Sequence, residues 1–326
     1  MNYYEYADKL IGVSSNVGDF SWSFGTAALK TDEQHFSDCL IRVHLSVSSE
    51  RAIEKSRKHL SAVKHFSHFE LKEDGKTVFY SRKLFGFIKL IYSVRLDGSD
   101  VYVSVGRLYY RLIKIKLMNI HPIGCILSDI VSALLLINGY SMLYCAAVSL
   151  GDADILLFGA PEAGKTLTAV RLCSEHGAVF LSEDIAITDG KKLWSVPFTA
   201  TYGQHGGKGK IDFCDRKLLC SEGKRRYIFL LEKGEDGAAC SGDTEEKLVL
   251  LNRYISHYAS APVCAALAYL TDCFPIGEMR RREEQILHSL VQSSECSTVS
   301  RPCAAYHCEA VLDTIRTAEN NTTEVS

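Results

Sequence analysis

The stretch Asp154–Thr166 reads DILLFGAPEAGKT, and it decides how the middle of the chain folds. Its apolar start predicts a buried strand, and the residues after it favour a helix. Between them stands the spacing Gly159-x4-Gly164-Lys165-Thr166, which is the pattern of a phosphate-binding loop. A strand before the loop and a helix after it are the context that this pattern requires, so we interpret it as a nucleotide-binding site.

Each part of the loop has a physical task. Gly164 lets the backbone curl so that successive N–H groups point at phosphate oxygens, and the helix that follows adds its positive N-terminal end. Lys165 supplies a mobile cation for the β- and γ-phosphates, and the Thr166 hydroxyl ligates Mg²⁺. The ligand predicted from these residues is ATP or GTP with Mg²⁺. The predicted binding residues are Gly159, Ala160, Pro161, Glu162, Ala163, Gly164, Lys165 and Thr166.

An acidic pair, Glu183-Asp184, follows the next predicted strand, Val179–Ser182. In an α/β fold with parallel neighbours, strand ends at one edge of the sheet converge on the ligand. One carboxylate could then hold Mg²⁺ while the other accepts a proton from an incoming hydroxyl. A solvated acidic turn is the alternative. We predict Lys165, Glu183 and Asp184 as catalytic residues, with Thr166 and Asp184 as the Mg²⁺ ligands.

The region that contains these motifs resembles a known family. It is similar to the C-terminal catalytic domain of HPr kinase/phosphorylase and, more closely, to the broad set of HPr-kinase-like bacterial proteins. The resemblance is carried by residues Tyr144–Val148, Leu156–Thr166 and Phe180–Asp184. It implies an α/β P-loop core related to phosphoenolpyruvate carboxykinase. It also implies a kinase that transfers the γ-phosphoryl group of ATP to a hydroxyl, most often serine, of a peptide, protein or small metabolite.

The chain departs from the family pattern in three places. Glu183 stands where the family usually has Asp, and Cys145 stands where a His commonly precedes the Ala-rich strand. The Glu-Ile-Arg-Gly signature of true HPr kinases is absent from the sequence. HPr itself is therefore not the expected acceptor. These departures keep an alternative open, a nucleotide-binding regulatory or assembly protein with little or no catalysis.

Three other groups of residues are weaker candidates. The Gly-rich segment Tyr202–Lys210, with His205, is either a loop that closes over substrate or an ordinary solvated loop. Arg225-Arg226 is either a stabiliser of phosphoryl charge or, as we favour, surface charge at a strand start. A zinc site is the less favoured interpretation of a group with irregular spacing, Cys296, Cys303, His307 and Cys308.

The rest of the chain divides into two regions of different rhythm. Residues 1–118 are β-rich, with strands predicted at 77–80, 88–94 and 101–112, a hairpin turn at Asp97-Gly98 and one helix at 49–68. We predict that this region recognises a substrate or a partner. Residues 119–317 are predicted to form the HPr-kinase-like nucleotide-binding domain, and residues 318–326 a flexible tail.

Within the second region the predicted elements alternate. Helices are predicted at 123–137, 164–176, 245–258 and 309–317, and strands at 142–150, 155–158, 179–181, 185–188 and 227–231. The uncharged run at 130–151 is long enough for a membrane span, but Asn138-Gly139 marks a turn in its middle. We therefore interpret it as a buried helix, a turn and a buried strand.

Composition and charge exclude several classes. The 326 residues carry a net charge of −2 with a pI of about 6.6, so no overall basicity points to nucleic acid. The 12 cysteines are scattered and the N-terminus lacks the regions of a signal peptide. Reduced thiols in a cytoplasmic protein are the expectation. The resemblance leaves a homo-oligomer open.

Overall fold

The computed structural model describes most of the chain. The described residues are 1–18, 29–60, 62–65, 69–84, 88–115, 123–183, 185–195, 199–204, 207–212, 220–235, 237–240, 244–255, 275–302 and 306–323. Predictions that concern Asp184, His205 and Cys303 lie outside these residues. The chain is mixed α/β and divides into two compact units. The described residues up to Asn138 and residues 275–281 belong to the first, and the other described residues belong to the second.

A mixed sheet is the centre of the first unit. Its strands are β1 Asn2–Tyr6, β2 Ile11–Ser15, β3 Leu29–Thr31, β4 Ile41–Ser48, β5 Ala62–His65, β6 Phe69–Glu73, β7 Thr77–Leu84, β8 Ile88–Asp97 and β9 Asp100–Gly106. They lie in the order β3-β1-β2-β4-β9-β8-β7-β6-β5. Strand β4 pairs in parallel with β2 and with β9, and the other neighbours are antiparallel. The prediction of a β-rich N-terminal region is confirmed.

Helices cover parts of this sheet. They are α1 Glu33–Ser37, α2 Glu50–Ser56, α3 Arg107–Ile115 and α4 Ile123–Ile137, with a 3₁₀ turn at Arg57–His59. The Ser49 side chain accepts a hydrogen bond from the Ala52 N–H and so caps the start of α2. Alternate residues of β4, Ile41, Val43 and Leu45, are buried at 2% exposure or less. The period of two places their side chains on one face of the sheet.

Two predictions in the first unit are wrong in part. Residues 107–112, predicted as strand, begin α3, where Tyr109 is buried and its ring stacks 5.9 Å from that of Tyr92. The helix predicted at 49–68 ends at Ser56, and Ala62–His65 pairs with β6 instead. In both places tertiary contacts override a local preference. The Asp97-Gly98 hairpin is confirmed, because Asp97 pairs with Asp100 and Gly98 has a φ of +61°.

The second unit contains two larger sheets and a hairpin. Its strands are β10 Ser141–Leu143, β11 Ala146–Leu150, β12 Ala153–Phe158, β13 Val179–Ser182, β14 Ala186–Thr188, β15 Lys192–Trp194, β16 Thr199–Gln204, β17 Gly207–Asp212, β18 Cys220–Glu222, β19 Arg225–Lys233, β20 Gly237–Cys240 and β21 Ser294–Arg301. The orders are β13-β11-β12-β19-β21-β20 and β10-β14-β15-β18, with β16 and β17 as a separate hairpin. The predicted strand at 142–150 is thus split between two sheets.

Four helices with described bounds accompany these sheets. They are α5 Lys165–His176, α6 Thr244–Ile255, α7 Ile276–Gln292 and α8 His307–Thr323, and the residues of α7 from Arg282 belong to this unit. Helix α5 ends at Gly177, which has a φ of +73° and continues the chain in the left-handed conformation that favours glycine. The predictions for α4 and α5 are confirmed, whereas α8 extends well beyond the predicted residue 317.

Strand direction brings several strand ends to one edge of the six-stranded sheet. Strand β11 is antiparallel to both β12 and β13, so β12 and β13 run the same way, and β19 and β21 are parallel to β12. We call the edge where β12, β13, β19 and β21 end the carboxyl edge, and the edge where they begin the amino edge. The loop after Phe158 and the residue Glu183 therefore leave the sheet at the same edge.

The uncharged run at 130–151 does not form one element. Helix α4 ends at Ile137, Gly139 turns the chain with a φ of +87°, and β10 and β11 follow. In the described part of the chain, no helix has both the length and the apolar character that a membrane crossing needs.

Candidate functional site

The loop at the carboxyl edge begins at a position that only glycine fits. Gly159 has a φ of +151°, and a Cβ built on it would lie 2.6 Å from the carbonyl oxygen of Leu231 at the end of β19. Such a contact is shorter than any that a real Cβ makes, so the backbone of β19 and the loop can approach this closely only because residue 159 has no side chain. The first glycine of the motif therefore has a structural cause.

Two residues in the left-handed conformation curl the loop. Glu162 has a φ of +64° and Gly164 a φ of +102°, with Ala163 between them. The Ala163 N–H donates to the Ala160 carbonyl over 3.1 Å, which closes a tight turn ahead of α5. Alternation of left- and right-handed residues gathers N–H groups into a concave surface that attracts anions. The N-terminal end of α5 adds a positive potential to the same place.

Lys165 lies over this loop although it is almost completely buried. The residue is 5% exposed, and its Nζ donates to the carbonyl oxygens of Gly159 over 2.8 Å and Ala160 over 3.1 Å. The Nζ also lies 4.6 Å from the centre of the Tyr144 ring. The side chain therefore folds back along the loop, and its charge lies beside the Gly159 and Ala160 carbonyl oxygens.

Thr166 and Glu183 are near the loop in different ways. Thr166 is half-buried in the first turn of α5, directly after Lys165. Glu183 is half-buried and follows β13 at the carboxyl edge. Strand β11 separates β13 from β12, so the two strand ends lie about 10 Å apart, which is two strand spacings. Asp184, the other predicted carboxylate, lies outside the described residues.

Tyr144 is the residue at this edge that the sequence interpretation missed. Cys145 stands where the similar family commonly has a His, but it is 0% exposed and belongs to the apolar core of the second unit. Its carbonyl oxygen accepts a hydrogen bond of 3.3 Å from the Ser182 hydroxyl, which ties the chain at this point to the end of β13. The sequence does not distinguish this residue, because Leu143, Tyr144 and Cys145 are all hydrophobic types, and only the structure separates half-buried Tyr144 from its buried neighbours.

Arg226 lies at the opposite edge from the loop. It is 5% exposed, and its guanidinium donates to the carbonyl oxygens of Gly190 over 3.2 Å and Lys191 over 2.6 Å. Burial lowers the pKa of this guanidinium, and nearby Asp154 opposes that shift. Arg226 is paired in register with Asp154 at the start of β12, whereas the loop follows the end of β12. The hypothesis that Arg226 stabilises phosphoryl charge is therefore wrong. The favoured interpretation as surface charge holds for exposed Arg225 and is wrong for buried Arg226.

Asp154 completes a buried polar group at the amino edge. It is 0% exposed, and its carboxylate accepts from the hydroxyls of Ser149 over 2.9 Å and Ser221 over 2.6 Å. Lys224 Nζ donates to the Ser149 Oγ and to the Gly151 carbonyl oxygen, each over 2.7 Å. Three strands are joined through this carboxylate, so the group stabilises the fold.

The Gly-rich segment and the cysteine group have structural explanations. The described residues of the Gly-rich segment, 202–204 and 207–210, belong to the paired strands β16 and β17, and β16 contacts α5. His307 is buried, and its Nε2 lies 3.0 Å from the Glu232 carbonyl oxygen. Burial raises the pKa of the Cys296 and Cys308 thiols to about 11. Among the residues that the structure describes, no three His, Cys, Asp or Glu side chains are placed to share a metal ion.

A second polar cluster lies on the sheet of the first unit. Asp100 accepts from His44 Nε2 over 2.8 Å and from Arg42, and His44 Nδ1 lies 3.3 Å from the Ser14 Oγ. A carboxylate at Nε2 assigns the ring proton to that nitrogen, so in the neutral ring Nδ1 accepts from Ser14. The order Ser–His–Asp is that of a hydrolytic triad. However, Ser14 is 2% exposed and Arg42 neutralises the carboxylate, so the cluster joins three strands.

The carboxyl edge thus combines three features of a polyphosphate-binding site. It has a loop with a glycine that no other residue can replace, a curl of backbone N–H groups at a helix start, and a buried lysine above them. The comparisons with known proteins add no family to this geometry. No family model matches the chain, and a search of the curated proteins finds no match.

Proposed function

We propose that the second unit binds ATP or GTP with Mg²⁺ at the carboxyl edge and acts as a kinase. The observation that carries this proposal is the position of Lys165, buried over a loop whose left-handed residues Glu162 and Gly164 turn its amides inward. A buried ammonium is costly unless its environment is arranged for it, and here two loop carbonyls and the Tyr144 ring surround the Lys165 ammonium at the loop. An anion with several oxygens is the ligand that suits it.

The loop residues divide the work of binding. The amides of residues 159–164 and the N-terminal end of α5 would hold the phosphate chain, and Lys165 would contact its terminal phosphates. Thr166 and Asp184 would hold Mg²⁺, which neutralises charge on the phosphates when it is bound. The residues present fit this group, because Thr166 offers a hydroxyl in the first turn of α5, directly after the loop.

Glu183 is the proposed base of the reaction. It is half-buried at the same edge as the loop, about 10 Å from the end of β12 by strand spacing, so an acceptor bound at this edge would lie near both. The acceptor oxygen attacks the γ-phosphorus, the bond from the γ-phosphorus to the β,γ-bridging oxygen breaks, and the hydroxyl proton goes to the Glu183 carboxylate. Serine in a peptide or protein, or a hydroxyl of a small metabolite, is the proposed acceptor class.

Binding is tested by calorimetry with ATP and GTP in the presence of Mg²⁺. Lys165→Met should weaken binding at least tenfold, because it removes the buried cation that faces the phosphates. Lys191→Met is the matched control, since Lys191 is exposed at the hairpin between β14 and β15 on the amino-edge side. Unchanged affinity in the Lys165 variant, or absence of heat with both nucleotides in the parent protein, contradicts the proposal.

Catalysis is tested separately, with labelled nucleotide and a panel of serine-containing peptides. Glu183→Gln should keep nucleotide affinity and lower the transfer rate by about 10²- to 10⁴-fold, the usual contribution of a general base. Glu295→Gln is the control, because Glu295 is exposed near the start of β21 at the amino edge. Tight nucleotide binding with no transfer, and no effect of the Glu183 variant, would instead favour a regulatory or assembly protein.

A further inference from the structure

The ammonium of Lys165 has an aromatic partner in addition to the loop. Its Nζ donates to the Gly159 and Ala160 carbonyl oxygens on one side and lies 4.6 Å from the Tyr144 ring centre on another. A distance below about 6 Å to a ring centre is within the range of a cation–π interaction, which is strongest where water is excluded. With Lys165 only 5% exposed, this contact is of the desolvated kind.

The Tyr144 ring is held in place by its chain neighbours. Leu143 and Cys145 on either side are 0% exposed, so the backbone on both sides of the ring is fixed in the core. The Cys145 carbonyl oxygen accepts from the Ser182 hydroxyl over 3.3 Å. A ring on a fixed backbone can orient a flexible lysine, because the lysine side chain has four rotatable bonds and so more freedom to lose than the ring.

We propose that Tyr144 is a positioning residue for Lys165, an inference that rests on the proposed function. The ring face keeps the ammonium folded back over the loop, where the terminal phosphates of the nucleotide would meet it. The lysine therefore does not have to be ordered from solvent when the nucleotide binds, and less conformational freedom is lost on binding. The aromatic face carries this role, and the phenolic hydroxyl does not.

The proposal predicts different nucleotide affinities for three substitutions of Tyr144. Tyr144→Phe keeps the ring face, so we expect less than a twofold change in affinity for Mg²⁺-ATP. Tyr144→Leu and Tyr144→Met keep an apolar side chain but remove the ring, so we expect affinity to fall by about threefold to thirtyfold. The same change in a Lys165→Met background should have less than a twofold effect, because the partner of the ring is already gone.

A measurement without nucleotide tests the contact itself. The ¹⁵N–¹H spectrum of lysine ammonium groups detects those that exchange slowly, and Lys165→Arg identifies the Lys165 signal by its loss. In the parent protein and in Tyr144→Phe this signal should show the upfield shift that an adjacent ring face produces. In Tyr144→Leu and Tyr144→Met the shift should disappear, or the signal should broaden as the ammonium reaches water.

The two measurements distinguish failure of this inference from failure of the proposed function. An unchanged ammonium shift in both ringless variants overturns the positioning role, whatever the nucleotide results are. Equal losses of affinity in the Phe and Leu variants also overturn it, since they would assign the role to the hydroxyl. If the spectrum responds as expected but the parent protein binds neither ATP nor GTP, the contact stands and the nucleotide proposal falls.

Discussion

The two edges of the same six-stranded sheet carry buried charges in different ways. At the amino edge, the carboxylate of Asp154 accepts hydrogen bonds that join three strands. Arg226, also buried, donates to the turn between β14 and β15. At the carboxyl edge, the backbone is curled through two left-handed residues, and Lys165 is held over it by carbonyl oxygens and a ring. Hydrogen bonds of this kind contribute to stability, whereas left-handed non-glycine backbone is typical of a functional site whose conformation the surrounding structure imposes.

This difference has a consequence for mutations. Changes at the amino edge should lower the free energy of unfolding and leave ligand affinity nearly unchanged in the protein that remains folded. Changes at the carboxyl edge should alter the affinity for the nucleotide. They should lower the free energy of unfolding only where the new side chain strains the backbone. The four predictions below test this separation.

The largest effect is expected for Asp154→Ala at the amino edge. The change leaves the hydroxyls of Ser149 and Ser221 without their acceptor and Arg226 without its nearby anion. The free energy of unfolding should fall by about 3–5 kcal/mol in urea titrations. Asp152→Ala in the adjacent exposed turn is the control and should change it by less than about 0.5 kcal/mol. Similar values for the two variants would show that the buried network contributes nothing special.

Gly159→Ala should have the next largest effect, and it should change both the free energy of unfolding and the affinity for the nucleotide. The added Cβ meets the Leu231 carbonyl oxygen at 2.6 Å and is strained by the positive φ, so about 2–3 kcal/mol of stability should be lost. Gly151→Ala has a φ of +56° with nothing within 4 Å of the new Cβ, so it should cost about 1 kcal/mol. Equal costs would mean that the close approach to β19 is absent in solution.

The Asp100 cluster in the first unit extends the comparison to pH. The Arg42 hydrogen bonds, followed by that of His44, hold the Asp100 pKa below its usual 3.8, against the opposing effect of burial. A lowered folded-state pKa contributes stability that is present above the unfolded value and is lost as the pH falls through the folded value. Asp100→Asn should therefore cost about 1–2 kcal/mol at pH 7, and the cost should shrink below about pH 4. A cost that is the same at pH 7 and pH 3 would contradict this cause.

Glu162→Gly should have the smallest effect on stability. Removing the side chain relieves a left-handed non-glycine residue but also frees the unfolded chain, so the net change should stay within about 0.5 kcal/mol. Loss of the exposed carboxylate from the loop should raise affinity for Mg²⁺-ATP by about two- to threefold. Glu162→Gln isolates the charge and should raise affinity equally, and a fall in affinity in both variants would assign Glu162 a binding role.

Sequence patterns correctly predicted the helices and turns that are determined by residues close together in the chain. Helix α4, helix α5 with its end at Gly177, and the Asp97-Gly98 hairpin follow from periodicity and turn chemistry within each segment. The secondary structure predicted for residues 107–112 and 62–65 is wrong. The first range packs against Tyr92 as a helix, and the second pairs with β6 as a strand. Propensity is a weak influence beside such contacts.

The motif at 159–166 was visible in the sequence because phosphate-loop chemistry depends on residue types at fixed spacing along one continuous segment. Only the tertiary structure decided that Arg226 lies at the far edge, that Cys145 is in the core and that Tyr144 faces Lys165. These facts depend on strand order and direction, which bring residues far apart in the chain together. The residues of one strand do not determine which strands pair beside it, and this is the physical reason that the sequence alone did not predict these contacts.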